Sequence, residues 1–518
     1  MSSRERISGV DTAWLRMEHP TNLMMIVGVM MFEGELRMSE LQRVIEARWM
    51  GFRRFRQKAA VDASGAWWVE DEAFDIGWHL QELELPGKAG KRELQALVSR
   101  LASTPLDFDR PLWRFHVVRN YAGGTALIMR VHHCYADGIA LVQVMLSLTH
   151  PTAKGSLALE REEIQPPLGD EGDFWAQVLK PVTNALGGAM NVGKGLFEQG
   201  RSLAANPQLA ADAVQEVTRK GADFAGELAR IVLMARDAAT RFKGALGKRK
   251  VVAWADPLPL EEVKAVGKAL GCSINDVLLS MAAGALRDYL LDKGDAVSHE
   301  LEIRALVPVN LRPPAEGHNL GNHFGLVFLE LPIGMEHPLE RLYEVRRRMR
   351  ALKGSYQPII ALGILGAVGY GPRVLQEQVT QLLSSNASAV MTNVPGPQHP
   401  LYLAGRRIAE LDFWVPQSGG IGMGVSILSY DSRIQFGVIT DAGLVPDPGR
   451  IVDRFADEFE KLLWITLMSP WGEQVAEQVA PEAEESKPAP RARRGKATAA
   501  EAAPAPGAPR VPKRFRNL

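Results

Sequence analysis

The stretch VHHCYADGIALVQ, residues 131–143, carries the most decisive structural signal in the sequence. It closes an apolar run that is typical of a buried strand, and a helical pattern follows it. Successive strand side chains point to opposite faces, so we expect His132 and His133 to have different surroundings, one packed inward and one facing a cleft. Gly138 allows a sharp turn, and Asp137 lies where it would cap the next helix. The stretch therefore predicts a strand, a turn with a histidine pair, and a helix.

Two α/β units, residues 1–155 and 251–465, extend outward from this stretch. In the first unit, LMMIVGVMMFEG and WRFHVVRN have the apolar density of strands, and Ser39 is expected to cap a helix. In the second, residues 261–270 and 274–290 have a helical period, whereas LEIRALVPVNLRP, LVFLELP and SRIQFGVITD are typical of strands. A chain of 518 residues exceeds one ordinary core, so two units fit its length.

The remaining segments differ in composition. Residues 156–250 form a basic amphipathic helical connector, with 12 Lys and Arg against 6 Asp and Glu between residues 180 and 250. Such helices either pack one face on the protein or lie on an anionic membrane surface, and both interpretations stay open. Residues 466–518 form an Ala, Pro, Lys and Arg-rich tail, which we predict to be disordered because it cannot bury a core.

The overall composition excludes several classes of protein. The formal net charge is zero, which gives no support to nucleic-acid binding. The two cysteines, Cys134 and Cys272, form neither a disulfide framework nor a metal-ligand spacing, which favours a reducing compartment. No apolar window approaches the ~20 residues of a spanning helix or forms a signal-peptide core. We therefore expect a cytoplasmic protein, with contact on the inner face of the membrane or on lipid inclusions left open.

The histidine pair admits more than one chemical interpretation. A histidine after a strand is often structural, and Asp137 is explained by helix capping alone. A metal site is disfavoured because no HExxH motif or cysteine cluster accompanies the pair. A serine nucleophile lacks the GxSxG elbow. A general-base histidine remains, for which neutral imidazole near pH 7 is suited.

A set of ordered motifs resembles a known family over roughly residues 7 to 465. HHCYADG matches the HHxxxDG signature of the coenzyme A-dependent acyltransferase and condensation-domain superfamily. The opening SGVDTAWLRMEHPTNLMMIVG, and the later VPVNLRP, GNHFG and TNVPGP, resemble segments of the bacterial wax ester synthase/diacylglycerol acyltransferase family. Two further motifs of that family are PLW at Pro111, Leu112 and Trp113, and ND at Asn275 and Asp276.

The resemblance implies a fold and an activity. The fold is α/β (α+β), with two chloramphenicol-acetyltransferase-like halves, each a mixed sheet with helices, around a central cleft or tunnel. The activity is transfer of a long-chain fatty acyl group from acyl-CoA to a long-chain alcohol or to diacylglycerol in a ternary complex. Acyl-CoA is then a substrate, and no cofactor or metal is implied. The alternatives are a condensation-like enzyme that uses another acceptor or a carrier-protein thioester, and a non-catalytic lipid-surface protein.

The resemblance also implies roles for individual residues. His133 is the general base, His132 orients the turn, and Asp137 holds the loop in shape, with Arg312 as the partner we predict for it. Asn275 is a candidate donor to the oxyanion. A structural role is favoured for Asp276, and packing or lining of the substrate channel is expected of the rest of the set: Pro111, Leu112, Trp113, Gly138 and Asn393.

Overall fold

The structure is a computed structural model. It describes residues 4–136, 138–159, 230–231, 233–310, 322, 324–352, 355, 357–370, 372–417 and 419–469. The predicted connector and tail therefore lie largely outside the described residues.

The described residues form a mixed α/β architecture, as the sequence predicts. The strands are β1 Glu5–Arg6, β2 Met25–Phe32, β3 Gln57–Asp62, β4 Gly65–Glu70, β5 Leu80–Leu83, β6 Trp113–Tyr121, β7 Gly124–His132, β8 Lys250–Trp254, β9 Leu258–Pro259, β10 Ile303–Asn310, β11 Phe324–Leu331, β12 Ala389–Pro395, β13 Tyr402–Leu403, β14 Arg406–Trp414, β15 Met423–Tyr430 and β16 Arg433–Asp441. The α-helices are α1 Gly9–Met17, α2 Met38–Val44, α3 Ile76–His79, α4 Lys91–Ala102, α5 Gly138–Leu148, α6 Ala153–Ser156, α7 Leu260–Ala269, α8 Ile274–Asp292, α9 Pro338–Leu352, α10 Gln357–Tyr370, α11 Arg373–Ser385 and α12 Gly449–Met468.

Two large sheets organise these elements. The first sheet has the strand order β13-β14-β2-β7-β6-β5, and the second has the order β11-β10-β12-β15-β16-β8, with β9 paired to β16. A small third sheet has the order β1-β4-β3. Buried residues form two hydrophobic clusters. The first joins the first sheet to residues of the second sheet such as Val252, Leu306 and Leu428, and the second lies between the second sheet and its helices, so the division into two units stays a prediction.

One strand does not follow the division of the sequence into two units. Strand β14 belongs to the second unit in sequence but pairs antiparallel with β2 in the first sheet, with Trp414 opposite Val27 and Leu411 opposite Met30. All eight residues of β2 are buried, since β14 covers one edge and β7 the other. The second unit thus completes the first sheet.

The helix predicted to begin at Ser39 begins one residue earlier. Met38 is the first helical residue, and Arg37 occupies the N-cap without a side-chain hydrogen bond. The Ser39 cap is therefore wrong. The helix also changes to a π-helical turn at Ile45–Trp49, which brings Trp49 into the core.

Candidate active site

The histidine pair lies at the end of β7, where hydrogen bonds anchor it on two sides. His132 is the last residue of the strand, and its backbone N–H donates to the carbonyl of Leu112 at 2.9 Å. His133 begins the turn, and its N–H donates to the carbonyl of Met24 at 2.7 Å. Strands β6 and β2 flank β7, so both neighbours of the central strand fix the turn.

Both histidine side chains are buried, with 1 % of His132 and 4 % of His133 exposed. Their surroundings differ, as the strand geometry requires. The His133 ring stacks on Trp14, with 4.1 Å between ring centroids, whereas the His132 ring meets Phe108 edge-on at 5.8 Å. The expectation that one of them faces an open cleft does not hold for the described residues, because α1 covers the turn.

Helix α1 and its C-cap residue, Glu18, supply three side chains to this turn. Asp11, Trp14 and Glu18 are spaced by three and four residues, which places them on one helical face. Glu18 accepts a hydrogen bond from the N–H of Met24, and the same carboxylate oxygen lies 3.5 Å from Nε2 of His132. Glu18 therefore contacts both the start of β2 and the first histidine.

Asn322 connects α1 to the second histidine. Its Nδ2 donates to Oδ1 of Asp11 at 2.7 Å and to the carbonyl of His133 at 2.9 Å, and its backbone N–H also donates to Asp11 at 3.1 Å. Burial raises the pKa of the Asp11 carboxyl, and the hydrogen bonds from Asn322 partly offset that effect. The residues Asp11, Trp14, Glu18 and Asn322 were not assigned roles from sequence. The helical spacing of the first three and the GNHFG segment around Asn322 were the available signals.

The electrostatic environment keeps His133 neutral. Burial, and after it the charge of the neighbouring His132, lower the pKa of the His133 imidazole to about 3. Burial also raises the pKa of the Cys134 thiol well above its ordinary value, and the carboxylates of Asp11 and Glu18 act in the same direction. At neutral pH the turn therefore offers an uncharged imidazole and an unreactive thiol rather than a thiolate nucleophile.

A narrow apolar cavity of about 70 Å³ begins beside the turn. It is lined along β2 by Ile26, Gly28 and Met30, and Ile26 pairs with Val131, two residues before His133. These three inward-facing residues span four strand steps, which is ~14 Å of length. The cavity thus runs from the histidine turn along the strand.

Each polar side chain in the described lining of this cavity already has a hydrogen-bond partner within the protein. Among the described lining residues only Thr149 and Tyr430 have polar side chains. The Tyr430 hydroxyl donates to the carbonyl of Ile408 at 2.9 Å, and the Thr149 hydroxyl donates to the carbonyl of Leu146 at 2.8 Å. Methionines such as Met129 also line it, and their flexible side chains allow the narrow space to widen.

Two of the predicted residues of the second unit, Asn275 and Asn393, contact each other. Asn393 on β12 donates through Nδ2 to Oδ1 of Asn275 at the start of α8. Asp276 forms a capping box with Ser273, since each backbone N–H donates to the other side chain at 2.9 and 3.2 Å. In the described part of the chain no contact joins Asn275 to either histidine, so the oxyanion role stays a prediction.

The PLW residues pack behind the turn. Trp113 is fully buried, its indole N–H donates to the carbonyl of Phe55 at 2.8 Å, and its ring stacks on His79. Leu112 is also buried and accepts the hydrogen bond from His132, while its N–H donates to the Tyr135 hydroxyl at 3.0 Å. Pro111, Leu112 and Trp113 are absent from the described lining of the apolar cavity.

Two of the predicted site residues belong to the parts of the histidine loop and of the VPVNLRP segment that the structure does not describe. Asp137 and Arg312 lie outside the described residues, so their predicted pairing stays a prediction. Gly138 is the first residue of α5, which agrees with a helix that follows the turn.

The described residues also bear on metal binding and on membrane spanning. Within the described ranges, no three His, Cys, Asp or Glu side chains are grouped so that they could hold a metal ion. None of the described helices is, by itself, long and apolar enough to cross a membrane. Helices α7 and α8 reach that length and apolarity only together, across a bend of 100°.

Two proteins of similar sequence are named as acyltransferases. The chain is 26 % identical over 490 residues to a Mycobacterium tuberculosis protein provisionally named a diacylglycerol O-acyltransferase, covering 89 % of this chain and 91 % of the relative. A second such protein of that species is 28 % identical over 421 residues, covering 80 % of this chain and 85 % of the relative.

Solved structures share the fold and confirm the predicted α/β class. The wax ester synthase/diacylglycerol acyltransferase from Marinobacter aquaeolei VT8 matches with a TM-score of 0.63 at 20 % identity, covering 89 % of this chain and all of that one. The first condensation domain of the calcium-dependent antibiotic synthetase matches with a TM-score of 0.54 at 14 % identity, covering 90 % of this chain and 96 % of that one.

The family assignment rests on two sequence models that together span most of the described residues. The model of the wax ester synthase/diacylglycerol acyltransferase catalytic domain matches residues 7–278, more than half of the chain. The C-terminal domain model of the same family matches residues 320–463. The chain therefore belongs to the wax ester synthase/diacylglycerol acyltransferase family of acyltransferases.

Proposed function

We propose that this chain transfers a long-chain fatty acyl group from acyl-CoA to the hydroxyl of a long-chain alcohol or of diacylglycerol. His133 accepts the proton of the acceptor hydroxyl as its oxygen attacks the thioester carbonyl. The tetrahedral intermediate then collapses, the carbon–sulfur bond breaks, and His133 returns the proton to the departing sulfur. The acyl group moves directly between the two substrates because the neighbouring Cys134 is held as a thiol.

The position of the histidine turn at one end of the apolar cavity carries this proposal. A saturated acyl chain has no hydrogen-bonding groups, and the polar lining groups of the cavity already bond to backbone carbonyls. A polar substrate placed there would lose its hydrogen bonds to water without replacement. The cavity therefore selects a hydrocarbon chain and directs its reactive end towards His133.

The low pKa of His133 bears differently on the two halves of the proton transfer. An imidazole with a pKa of about 3 is neutral at pH 7, but it is a weak base, so proton acceptance depends on the charge that develops on the attacking oxygen. The imidazolium formed in a buried site is a strong acid, which favours rapid donation to the leaving sulfur. Positioning of the two substrates must supply much of the remaining rate enhancement.

The direct test is release of free thiol from palmitoyl-CoA by purified protein. The assay is run in parallel with hexadecanol, with a diacylglycerol, and without acceptor. We expect thiol release that depends on an added acceptor, and the faster acceptor identifies the physiological class. Acceptor-dependent turnover of an acyl carrier-protein thioester in place of palmitoyl-CoA would instead support the condensation-like alternative. Absence of transfer from every donor, with folded protein, would contradict the proposal.

Gly28 offers a test of the cavity as the acyl site. It lies in the middle of β2, where glycine weakens a strand, and a Cβ there would stand 3.2 Å from Cε of Met129. In Gly28→Val the added side chain fills the narrow space. We expect the rate with palmitoyl-CoA to fall about 10-fold or more, while the rate with butyryl-CoA falls less than about 2-fold. Loss of the space for even one methylene group in an apolar pocket changes the discrimination between substrates on that scale.

The matched control is Gly363→Val, at a helical position where a Cβ meets no atom within 4 Å. It should leave the ratio of the two rates unchanged. An equal loss with both donors in Gly28→Val, at unchanged thermal stability, would show that the cavity does not hold the acyl chain.

A further inference from the structure

A second space is larger than the acyl cavity, more open, and lined by charged side chains. It is an open cleft of about 760 Å³ between α4, β8 and the N-terminus of α12. That volume is in the range of small-molecule sites. Its lining includes Arg92, Arg100, Arg249, Lys250 and Arg450, and we refer to it as the cationic cleft.

The walls of the cationic cleft are firmly joined. Strand β8 is the edge strand of the second sheet, and α4 covers that edge. The backbone N–H of Val252 donates to the Ser99 hydroxyl at 2.9 Å, and that of Lys250 donates to the Ser103 hydroxyl at 2.8 Å. The two serines satisfy donors that an uncovered edge would leave to solvent, so the cleft is a fixed feature between the two sheets.

Part of the charge in the cleft is neutralised internally. Lys250 forms an ion pair with the buried Asp441 at 2.9 Å, and burial lowers the pKa of its ammonium group while Asp441 opposes that effect. Arg450 forms an ion pair with Asp447 at 3.2 Å. These pairs hold the floor of the cleft together.

Three guanidinium groups remain without a carboxylate. Arg92, Arg100 and Arg249 have exposed side chains, and none of them forms an ion pair with another described residue. The only other carboxylate that lines the cleft in the described part of the chain is Asp453. Three unpaired positive charges against one negative charge leave a formal excess of two positive charges in one small cleft.

The start of α12 adds to this positive potential. The helix has 20 residues, and its N-cap, Pro448, offers no side-chain hydrogen bond. The first helical residue, Gly449, lines the cleft, and its Cβ position meets no atom within 4 Å. The N-terminus of a long helix carries about half a positive charge, so it adds to the attraction for an anion.

A short segment leads from the cleft to the histidine turn. Thr104 lines the cleft, and its carbonyl accepts a hydrogen bond from Arg130, which precedes His132 by two residues on β7. Four residues later, Phe108 contacts the His132 ring. Four extended residues span at most ~14 Å, so the cleft and the turn are within reach of one extended ligand.

We propose that the cationic cleft binds the phosphate groups of the nucleotide portion of the acyl-CoA donor. The inference rests on the proposed function, since it assigns one end of the same substrate. Coenzyme A carries its phosphates at one end and its thioester at the other. The charges of Arg92, Arg100 and Arg249 hold the phosphates at the surface, while the acyl chain occupies the buried apolar cavity.

The test is calorimetric titration of wild-type protein with coenzyme A and, separately, with pantetheine, which lacks the nucleotide phosphates. In the double variant Arg100→Gln/Arg249→Gln we expect the Kd of coenzyme A to rise about 10-fold, because each exposed charge contact contributes a few-fold in affinity. The Kd of pantetheine should change less than about 2-fold. Asp453→Asn, which removes the opposing charge, should tighten coenzyme A about 2-fold.

The matched control is Arg37→Gln, an exposed arginine at the start of α2 outside the cleft. It should bind coenzyme A as the wild type does. Raising the ionic strength from 0.05 to 0.5 M should weaken coenzyme A binding in the wild type more than in the double variant. An unchanged Kd for coenzyme A in the double variant overturns the proposal.

The outcomes separate this inference from the proposed function. Binding of coenzyme A is measured without turnover, so failure of acyl transfer appears in the thiol-release assay and not in the titration. If transfer occurs, the double variant should raise KM for palmitoyl-CoA about 10-fold and KM for palmitoyl-pantetheine less than about 2-fold. The double variant could instead bind coenzyme A as the wild type does but sediment less than the wild type with phosphatidylglycerol vesicles. That result would assign the cleft to lipid headgroups and reject the proposal.

Discussion

Replacing His133 with alanine is expected to reduce acceptor-dependent acyl transfer by about 10²–10⁴-fold, the usual contribution of a general base. The loss should appear in kcat, because the acyl cavity and the cationic cleft, which we propose to bind the donor, are unaltered. The measurement is steady-state thiol release from palmitoyl-CoA with saturating acceptor. Coenzyme A titration on the same protein shows whether donor binding is retained.

The substitution also removes the ring that stacks on Trp14, so its effect on folding must be measured. The thermal midpoint of His133→Ala is compared with that of the wild type and of His299→Ala, an exposed histidine on the second unit. Full activity of a stably folded His133→Ala protein would exclude His133 as the base. It would also favour a non-catalytic histidine turn.

Acidification from pH 7.5 to pH 5.5 is expected to remove about 4 kcal/mol from the free energy of unfolding through three buried histidines, while the raised pKa values of the buried Asp11 and Asp412 carboxyls act in the opposite direction. Burial lowers the pKa of His79 to about 4, and of His116 and His133 to about 3. An unfolded chain binds protons at these positions near pH 6.5, whereas the folded chain does not. Stability is therefore complete above pH 6.5 and falls as the pH decreases towards the folded pKa values, by about 1.4 kcal/mol for each histidine at pH 5.5.

The contribution of one histidine can be isolated at His116. Its ring is buried, and neither ring nitrogen has a hydrogen-bond partner among the described residues. Between pH 7.5 and pH 5.5, His116→Met should lose about 1.4 kcal/mol less of its free energy of unfolding in denaturant than the wild type, whereas His299→Ala should lose as much as the wild type. The same pH dependence in His116→Met and wild type would show that His116 titrates normally in the folded protein.

Local parts of the structure follow from the sequence. The strand and turn around His132 and His133 are placed correctly because period-2 apolar runs and turn residues act over a few positions. Helices α7 and α8 begin and end within a few residues of the predicted ranges, since Ser273 and Asp276 give α8 a clear start. The predicted N-cap at Ser39 is wrong because α2 already includes Met38, so Arg37 occupies the N-cap position.

The assembly of the site could not be predicted from local patterns. Asn322 reaches Asp11 across 311 positions and His133 across 189. The cationic cleft likewise joins α4 to β8 and α12, which are separated by more than a hundred positions. The residues next to each of these positions in sequence give no sign of the distant contact. The contacts form only when α1 and the two sheets pack together.

The exchange of β14 into the first sheet has a consequence for biosynthesis. During translation β2 and β7 emerge early, but the free edge of β2 stays uncovered until residue 414 has left the ribosome. A fully apolar strand edge of eight residues is a template for association between nascent chains. The first half expressed alone is therefore expected to aggregate, because it lacks β14 and leaves this edge of β2 uncovered.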